Sequence, residues 1–364
     1  MILNTDKQIQ DLAVKLQTVN KISVDTEFYW MRTYYPILCL IQIATDDEFF
    51  LLDTLADIDF SPLAQIFEDN NIQKTMHSGS NDIPIIKKFL DCDVNNVFDT
   101  QVAAAFLGFQ PQISLKNLLK EVLDIEMEKE SQFSDWRKRP LSDKQLAYAV
   151  KDVEYLIQLT DYLVDEVESK GYTEFFEEEL ITVTKTQFNS IDTIHTRVGN
   201  IQKFKENIQK SIILIAKWRE ITAQEKDIPV KFIFDNKDLY AIAHLNPTST
   251  DDFVSPELKK LSLWKKKAIV ETLTDDSNIK HLLSERKSAP KIEPDVLNNI
   301  IAFFDKSTEE YNFDSSMIAS RKDIRSLAYN LNLQNDPINN KLLSGWRNKV
   351  IGKKLKEYIL EQIN

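Results

Sequence analysis

Short apolar runs broken by polar turns make up the first hundred positions of the chain, and they are rich in β-branched and aromatic residues. Runs of this length and composition are typical of strands. The turn Asp46–Asp47 joins the second run to the third. The pattern therefore predicts three strands in series and then strands that alternate with helices, as in a mixed sheet covered by helices. The predicted strands are residues 22–28, 38–44, 48–52, 73–77 and 96–99.

Apolar residues spaced three and four apart predict helices between and after these strands. The longest predicted helix covers residues 142–170. Ser142 and Gln145 have the spacing of a capping box at its start, and Gly171 is a natural stop at its end. The shorter predicted helices are residues 6–18, 61–68, 80–90, 100–107 and 114–123.

Beyond residue 200 the pattern is purely helical. The stretch 288–294 contains two prolines and little that could be buried, so it reads as a linker between two helical units. The residues expected in the core of the first of these units are Trp218, Phe232, Phe234 and Leu239.

Two carboxylates, Asp25 and Glu27, interrupt the first strand at positions where apolar residues are expected. Residues i and i+2 of a strand point to the same face, so the two acids lie roughly 7 Å apart at Cα. Like charges on a half-buried face repel each other and resist desolvation, and an oxygen-seeking divalent cation such as Mg²⁺ would compensate them. The alternative is a strand end whose acids face water.

Other residues admit both a functional and a structural interpretation. Tyr148 and Asp152 lie four apart, one turn from each other on one helix face, which is also a common surface arrangement. The aromatic residues Trp30, Tyr34 and Tyr35 could stack on bases or pack in a core. His77 could be a metal ligand, although we expect it to orient substrate or backbone, and we expect Asp99 to be a capping or turn acid. The sequence leaves these alternatives open.

Charge is unevenly distributed along the chain. The net charge is −12 for the whole sequence. Residues 1–200 carry about −16, whereas the remainder carries about +4. An acidic first half can house metal-binding carboxylates, and a mildly basic second half can hold a polyanion, although an excess of this size is also an ordinary surface.

Cysteine content and hydropathy limit the compartment. The two cysteines, Cys39 and Cys92, do not make a disulfide framework, so we expect a reducing environment. No signal-peptide core precedes the first strand, and no apolar run is long enough to span a bilayer. The expectation is a soluble cytoplasmic protein of two or three domains that is not bound to a membrane.

Three segments, in this order and spacing, resemble the exonuclease motifs of the ribonuclease D family, the tyrosine-containing branch of the Asp-Glu-Asp-Asp exonucleases. The connecting phrases at 33–36, 97–101 and 139–141 are similar to the family as well, and 216–244 and 318–347 resemble its helical C-terminal domain. The motif segments are 24–28 (Val-Asp-Thr-Glu-Phe), 77–82 (His-Ser-Gly-Ser-Asn-Asp) and 134–152, which begins Ser-Asp-Trp.

The resemblance implies an architecture. It implies an α/β RNase H-like exonuclease domain, a mixed β-sheet with flanking helices, at residues 1–200. Two all-α helicase-and-RNase-D C-terminal (HRDC) domains would follow at 201–287 and 295–364, with the linker 288–294 between them. It also implies a 3′-5′ exoribonuclease that releases nucleoside 5′-monophosphates. The implied substrates are tRNA precursors with 3′ extensions and other small structured RNAs, and we expect a monomer.

Carried over by motif, Asp25, Glu27, Asp82 and Asp152 correspond to metal-binding acids, and Tyr148 corresponds to the catalytic tyrosine. Two divalent ions, Mg²⁺ or Mn²⁺, held about 3.5–4 Å apart can neutralise the attacking and leaving oxygens of a phosphodiester together. We expect Asp25 to bridge both ions, Glu27 and Asp152 to complete the nucleophile side, and Asp82 to serve the leaving group. A tyrosine with a pKa near 10 is a poor base, so Tyr148 would mainly orient the attacking water.

Two alternatives remain at this point. A proofreading-type 3′-5′ DNA exonuclease shares the same acids, but the Arg139-Pro140-Leu141 phrase and the two helical domains favour the ribonuclease. A catalytically silent RNA-binding adaptor should have lost one of the acids, and all four are present.

Overall fold

The computed structural model describes residues 2–127, 134–188, 191–201, 203–274, 292–333 and 340–363. Most of the predicted linker 288–294 lies outside the described residues, so the linker and the domain boundaries that depend on it stay predictions. By the density of contacts the chain divides into two compact units. The first unit contains Met1–Tyr29, Leu38–Thr186 and Ala289–Asn364, and the second contains Trp30–Ile37 and Gln187–Ser288.

The first unit is built on a mixed six-stranded sheet with the strand order β1-β4-β3-β2-β5-β6. β3 and β4 are antiparallel, whereas β4 pairs in parallel with β1, and β5 pairs in parallel with both β2 and β6. The predicted series of three strands is confirmed as the neighbours β2, β3 and β4. The strands are β1 (Ile2–Leu3), β2 (Lys21–Tyr29), β3 (Ile37–Ala44), β4 (Phe49–Leu52), β5 (Gln73–Met76) and β6 (Val97–Asp99).

The strand β1 escaped prediction because two residues are too short to show a period. One buried polar residue, Lys74 on β5, was also not foreseen. Its side chain is 0% exposed, and its ammonium donates to the carbonyls of Ile66, Asp69 and Ile72 at 3.3, 2.7 and 2.8 Å. Three carbonyls at the end of the preceding helix thus make a buried lysine acceptable on a central strand.

Helices cover the sheet. The predicted capping box is confirmed, because Ser142 and Gln145 bond each other's backbone at the start of a helix. The single helix predicted for 142–170 is wrong in one respect, since the chain leaves helical geometry at Tyr155 (φ −110°, ψ 2°) and forms two helices there. The helices are α1 (Asp6–Leu16), α2 (Ala64–Glu68, after a 3₁₀ turn Ser61–Leu63), α3 (Asp82–Leu90), α4 (Thr100–Phe106), α5 (Leu115–Leu123), α6 (Asp143–Glu154), α7 (Leu156–Ser169) and α8 (Thr173–Thr184).

The C-terminal helices belong to the same unit as the sheet. Trp346 is 1% exposed, and its ring lies 5.4 Å from that of Phe106 on α4 and 5.2 Å from that of Phe175 on α8. One hydrophobic core therefore joins these helices to the helices that cover the sheet. They are α14 (Pro294–Thr308), α15 (Ser315–Ile318), α16 (Arg321–Asn332), α17 (Gly345–Arg347) and α18 (Lys353–Ile363), with a 3₁₀ turn at Lys341–Leu343 and a π-helical turn at Asn348–Gly352.

The second unit is helical, as predicted. Phe234 and Leu239 lie in its core as expected, and Trp218 packs against that core. The expectation for Phe232 is wrong, because it lies on a four-residue helix whose Ile233 faces inward while Phe232 remains 51% exposed. Its helices are α9 (Glu206–Glu225), α10 (Val230–Ile233), α11 (Asn236–Leu245), α12 (Pro256–Lys259) and α13 (Leu263–Leu273), with 3₁₀ turns at Ile191–Val198 and Thr250–Asp252.

Among the described helices of both units, none combines the length and the apolar character needed to cross a membrane.

Candidate active site

The strand β2 holds the first two acids at the middle of the sheet, between β3 and β5. Asp25 and Glu27 are half-buried near its end, on a strand whose other residues Ile22 and Val24 are fully buried. The hydroxyl of Ser23 donates to the carbonyl of Val153 at 2.8 Å, which ties β2 to the helix α6. The acids are therefore carried by one of the most constrained parts of the fold.

The third acid, Asp82, is the first residue of α3 and is 8% exposed. The hydroxyl of Thr26, which lies between the two acids of β2, donates to its carboxylate. The helix N-terminus also favours a negative charge at this position. The structure thus joins the loop after β5 directly to β2.

A turn before Asp82 determines where α3 begins. Ser78 adopts a left-handed conformation (φ 64°), and its amide and that of Gly79 donate to the carboxylate of Asp99 at 3.1 and 2.8 Å. A Cβ at Gly79 would lie 3.0 Å from the sulfur of Met76, so the turn leaves little room for a side chain. Asp99 also accepts from the first amides of α4, which confirms the predicted capping role. Asp99 therefore organises the turn that carries Asp82.

The helix α6 supplies Tyr148 and Asp152, both half-buried and joined by a side-chain hydrogen bond. The ring of Tyr148 lies 6.1 Å from that of Trp136, which is 3% exposed. Arg139 fixes the segment before α6, since its guanidinium forms an ion pair with Asp53 and donates to the carbonyl of Cys39 at 2.8 Å. The Arg139-Pro140-Leu141 phrase is part of the family resemblance, but the sequence does not show that Arg139 anchors this segment.

The four acids and the tyrosine interact electrostatically. Burial raises the pKa of Asp25 well above its usual value, and the negative charges of Asp82, Asp152 and Glu27 raise it further. Burial, followed by the charges of Asp152 and Asp82, raises the pKa of Glu27 to about 8. The structure therefore brings all four sequence-predicted acids into one region.

Burial also raises the pKa values of Asp82 and Tyr148. Burial raises the pKa of Asp82 to about 6, although the hydrogen bond from Thr26 works in the opposite direction. The pKa of Tyr148 is also raised, first by burial and then by the charges of Asp152, Glu27 and Asp25. The tyrosine is consequently neutral at physiological pH, and its hydroxyl is a hydrogen-bond donor.

The donor set fits a hard divalent cation. All four candidate ligands are carboxylates, which Mg²⁺ and Mn²⁺ prefer, and their mutual repulsion is what a cation would relieve. Within the described ranges, no three His, Cys, Asp or Glu side chains already surround a point that could hold an ion. The carboxylates nevertheless lie close enough for Asp25 and Glu27 to be affected by the charges of the other acids.

His77 lies apart from this set of acids. Its Nε2 is 3.0 Å from the carbonyl of Ile113, and its Nδ1 is 2.9 Å from the hydroxyl of Thr100. A carbonyl can only accept, so the proton is assigned to Nε2, and burial lowers the pKa of the ring. His77 thus anchors a neighbouring loop, as expected.

Comparison with known proteins places the chain. The sequence model of a 3′-5′ exonuclease family matches residues 1–168, and the HRDC domain model matches residues 214–269. The ribonuclease D of Desulfotalea psychrophila is 33% identical over 70% of this chain and 69% of its own length. That of Psychromonas ingrahamii is 30% identical over 96% of this chain and 98% of its own length.

A solved structure agrees with these sequences. The crystal structure of Escherichia coli RNase D, described as an exoribonuclease involved in structured RNA processing, superposes with a TM-score of 0.86 at 26% identity. The match covers 99% of this chain and 98% of that one. Agreement over the whole length extends the likeness to the C-terminal helices.

A mixed-sheet exonuclease domain joined to an HRDC domain defines the class of 3′-5′ exonucleases whose catalysis depends on metal ions. Within that class, the chain belongs to the ribonuclease D family. It is a 3′-5′ exoribonuclease, a hydrolase of phosphodiester bonds in RNA, and tRNA processing is the known role of the family.

Proposed function

We propose that the chain works as a monomer that trims 3′ extensions from tRNA precursors and other small structured RNAs. In this proposal Asp25, Glu27, Asp82 and Asp152 hold two divalent ions, Mg²⁺ or Mn²⁺. The observation that carries it is that the charges of Asp82, Asp152 and Glu27 all act on the buried Asp25. Carboxylates whose pKa values are raised by burial and by neighbouring carboxylates, as those of Asp25 and Glu27 are, gain stability from cations.

The interactions support different positions for the acids. The charges of the other three acids all act on Asp25, which supports Asp25 as the ligand shared by the two ions. Glu27 senses Asp152 more strongly than Asp82, which favours Glu27 and Asp152 on the nucleophile side and Asp82 on the leaving-group side. When bound, the ions would neutralise the charge on the attacking and leaving oxygens. Tyr148, neutral and bonded to Asp152, orients the attacking water.

The charge distribution supports a division of labour. The first 200 residues carry about −16 and repel RNA except where cations are bound by the four acids. The residues after 200 carry about +4. The helical second half therefore holds the body of a folded RNA while its 3′ end reaches the acids.

A direct assay tests this function. A tRNA with a 3′ extension and a DNA oligomer of matching sequence, each labelled at the 5′ end, are incubated with Mg²⁺, Mn²⁺ or EDTA. We expect stepwise shortening of the RNA with release of 5′-monophosphates, none in EDTA, and slower loss of the DNA. The variant Asp25→Asn should bind the RNA without cutting it, because it removes a metal ligand at nearly constant volume.

The other outcomes identify the alternatives. Faster shortening of the DNA would favour a proofreading-type exonuclease, and binding by the wild-type protein without cleavage would favour an adaptor. A preference for unstructured RNA over the tRNA would contradict the proposed substrate. Sedimentation of the full-length protein tests the monomer.

A further inference from the structure

The second unit contains a pocket of about 350 Å³ that the chemistry described above does not use. Its walls come from three places: the segment Trp30–Tyr34, Phe188 and the start of α10. Pockets of this size commonly bind small ligands and single building blocks of larger ones. We propose that this pocket is a subsite for one nucleotide of the single-stranded RNA 3′ tail, upstream of the bond that is cut. The proposal rests on the exoribonuclease activity.

Aromatic side chains give the pocket an affinity for a base. Trp30 is 51% exposed, unusual for a tryptophan, and Phe188 lies on another part of the wall. The indole Nε1 donates to the carbonyl of Tyr34 at 2.8 Å, so the ring is held while about half of the residue stays accessible. Aromatic side chains of this kind are what bases stack on in single-stranded nucleic acids.

The wall that carries Trp30 is held in advance. The amides of Tyr34 and Tyr35 donate to the carboxylate of Asp227 at 3.0 and 3.1 Å. The Tyr34 hydroxyl donates to Glu220 on α9 and accepts from Gln224 at 3.1 Å. The three aromatic residues noted in the sequence therefore differ. Tyr34 is buried and anchors the segment, and Tyr35 packs edge-on against Tyr34 and Phe188, whereas Trp30 is exposed. A wall that is already ordered loses little entropy on binding.

A cation completes the pocket. Lys231 is exposed at its edge and forms no salt bridge with any described residue, so its ammonium can donate hydrogen bonds to a phosphate. Aromatic side chains and a cation on one pocket together favour a nucleotide over a purely apolar ligand.

The position of Trp30 in the chain, just after the strand that carries two of the acids, favours RNA as the ligand of the pocket. Trp30 follows Glu27 by only three residues and is the first residue after β2. A chain spans at most about 3.3–3.6 Å per residue, so the two Cα atoms lie within ~11 Å of each other. The pocket wall thus begins where the strand with the candidate metal ligands ends.

An abasic scan tests the subsite in the full-length enzyme. RNA oligomers that lack the base at one position each, counted from the 3′ end, are compared by kcat/KM. We expect the wild-type value to fall about 5- to 150-fold at one upstream position, the range of base stacking on an aromatic ring. On intact RNA, kcat/KM of Trp30→Ala should be lower than the wild-type value by a similar factor. Removing the base at that position should then cause no further loss in this variant. Trp30→Phe should keep most of the activity.

Matched variants separate the pocket from general damage. Tyr162→Ala removes another exposed aromatic ring (43% exposed), and Lys7→Met removes an exposed lysine of the acidic half; neither should change kcat/KM. Lys231→Met should lower affinity and reduce the slope of log Kd against log salt by about one. An abasic profile for Trp30→Ala that keeps the wild-type minimum, or a flat wild-type profile, would overturn the subsite.

Binding provides a readout independent of turnover. RNA with 2-aminopurine at the same position, bound to Asp25→Asn, should show quenched fluorescence that is lost in the double variant Asp25→Asn/Trp30→Ala. A wild-type protein that cuts no RNA would refute the exoribonuclease activity, and this binding measurement would still decide the pocket. Unchanged fluorescence on binding would overturn the subsite while leaving the activity in place.

Discussion

The hydroxyl of Tyr148 donates a hydrogen bond to the carboxylate of Asp152, one turn later on the same face of α6. Burial, followed by the charges of the surrounding carboxylates, raises the pKa of the tyrosine, so it remains protonated at neutral pH. A protonated phenol cannot act as a base, so the mechanism proposed above gives it the role of orienting the attacking water. This relationship distinguishes the tyrosine from the four acids, which could act through metal binding.

Tyr148→Phe should therefore reduce the reaction without abolishing it. The substitution keeps the ring against Trp136 and removes only the hydroxyl. We expect kcat to fall about 10²-fold, the cost of a misplacement of about 1 Å in a reacting group, with KM nearly unchanged. Single-turnover kinetics would measure the effect, with Tyr162→Phe as the control because that side chain is exposed on α7. A wild-type rate would mean that Tyr148 only packs.

The acids should make stability depend on pH and metal. Glu27 has a folded pKa of about 8 against an ordinary value of 4.5, so the folded state binds more protons between these values. Stability from this group is present below pH 4.5 and is lost as the pH rises through 8. In EDTA the free energy of unfolding should fall across this window, and Glu27→Gln should flatten that part of the fall.

Added Mg²⁺ should offset the loss, because it binds the ionised carboxylates of the folded state. Denaturant unfolding at several pH values, with EDTA or Mg²⁺, provides the measurement. Identical pH profiles for the wild type and Glu27→Gln in EDTA would mean that Glu27 is as well solvated in the folded state as in the unfolded state.

Asp99 should affect both stability and rate. It accepts four backbone amides, and an asparagine would set its NH₂ group against one of these donors. We expect Asp99→Asn to destabilise the protein by about 1–3 kcal/mol. Because Asp82 follows this turn, kcat should fall as well while RNA affinity changes little.

The control for that prediction is Asp59→Asn. Asp59 is an exposed acid that accepts the amide of Ser61, and asparagine caps about as well as aspartate. Melting temperature and kcat measured on both variants separate a cap from a positioning residue. A lower melting temperature with wild-type kcat would leave Asp99 as a cap alone.

The sequence predicted the sheet and the acids for different reasons. Runs such as 38–44 can be recognised as strands because a central strand is buried on both faces and is therefore almost continuously apolar. The meeting of Asp25, Asp82 and Asp152 cannot be read from periodicity, since it depends on how three distant segments pack. It was expected only through the resemblance to ribonuclease D, and the structure brings these side chains together.

Other features were beyond sequence reasoning for specific physical reasons. The break at Tyr155 falls inside a continuous apolar pattern, which has the same period on both sides of the break. Lys74 is buried only because three carbonyls converge on its ammonium, and that convergence is a property of the fold. Phe232 was misplaced because a four-residue helix is too short for its inward face to be predicted.

The C-terminal helices provide the last prediction. The sequence pattern treats residues 295–364 as a separate domain, yet the ring of Trp346 packs on Phe106 and Phe175, and its amide donates to Glu178 on α8. If these contacts couple the C-terminal helices to the sheet, Trp346→Ala should destabilise both. We expect a loss of about 3–5 kcal/mol, the usual effect of removing a large buried aromatic ring.

Denaturant unfolding with hydrogen exchange would test this coupling. Exchange should speed up in α4 and α8 as well as in α16 and α18, within a single transition. Trp264→Ala, at a tryptophan 44% exposed in the second unit, is the matched control and should have a smaller effect. Two separate transitions, with only the C-terminal one shifted, would mean that these helices fold independently. Coupling would also imply that deleting residues after 200 exposes the core beside α4, so point variants are the sounder probes of RNA recognition.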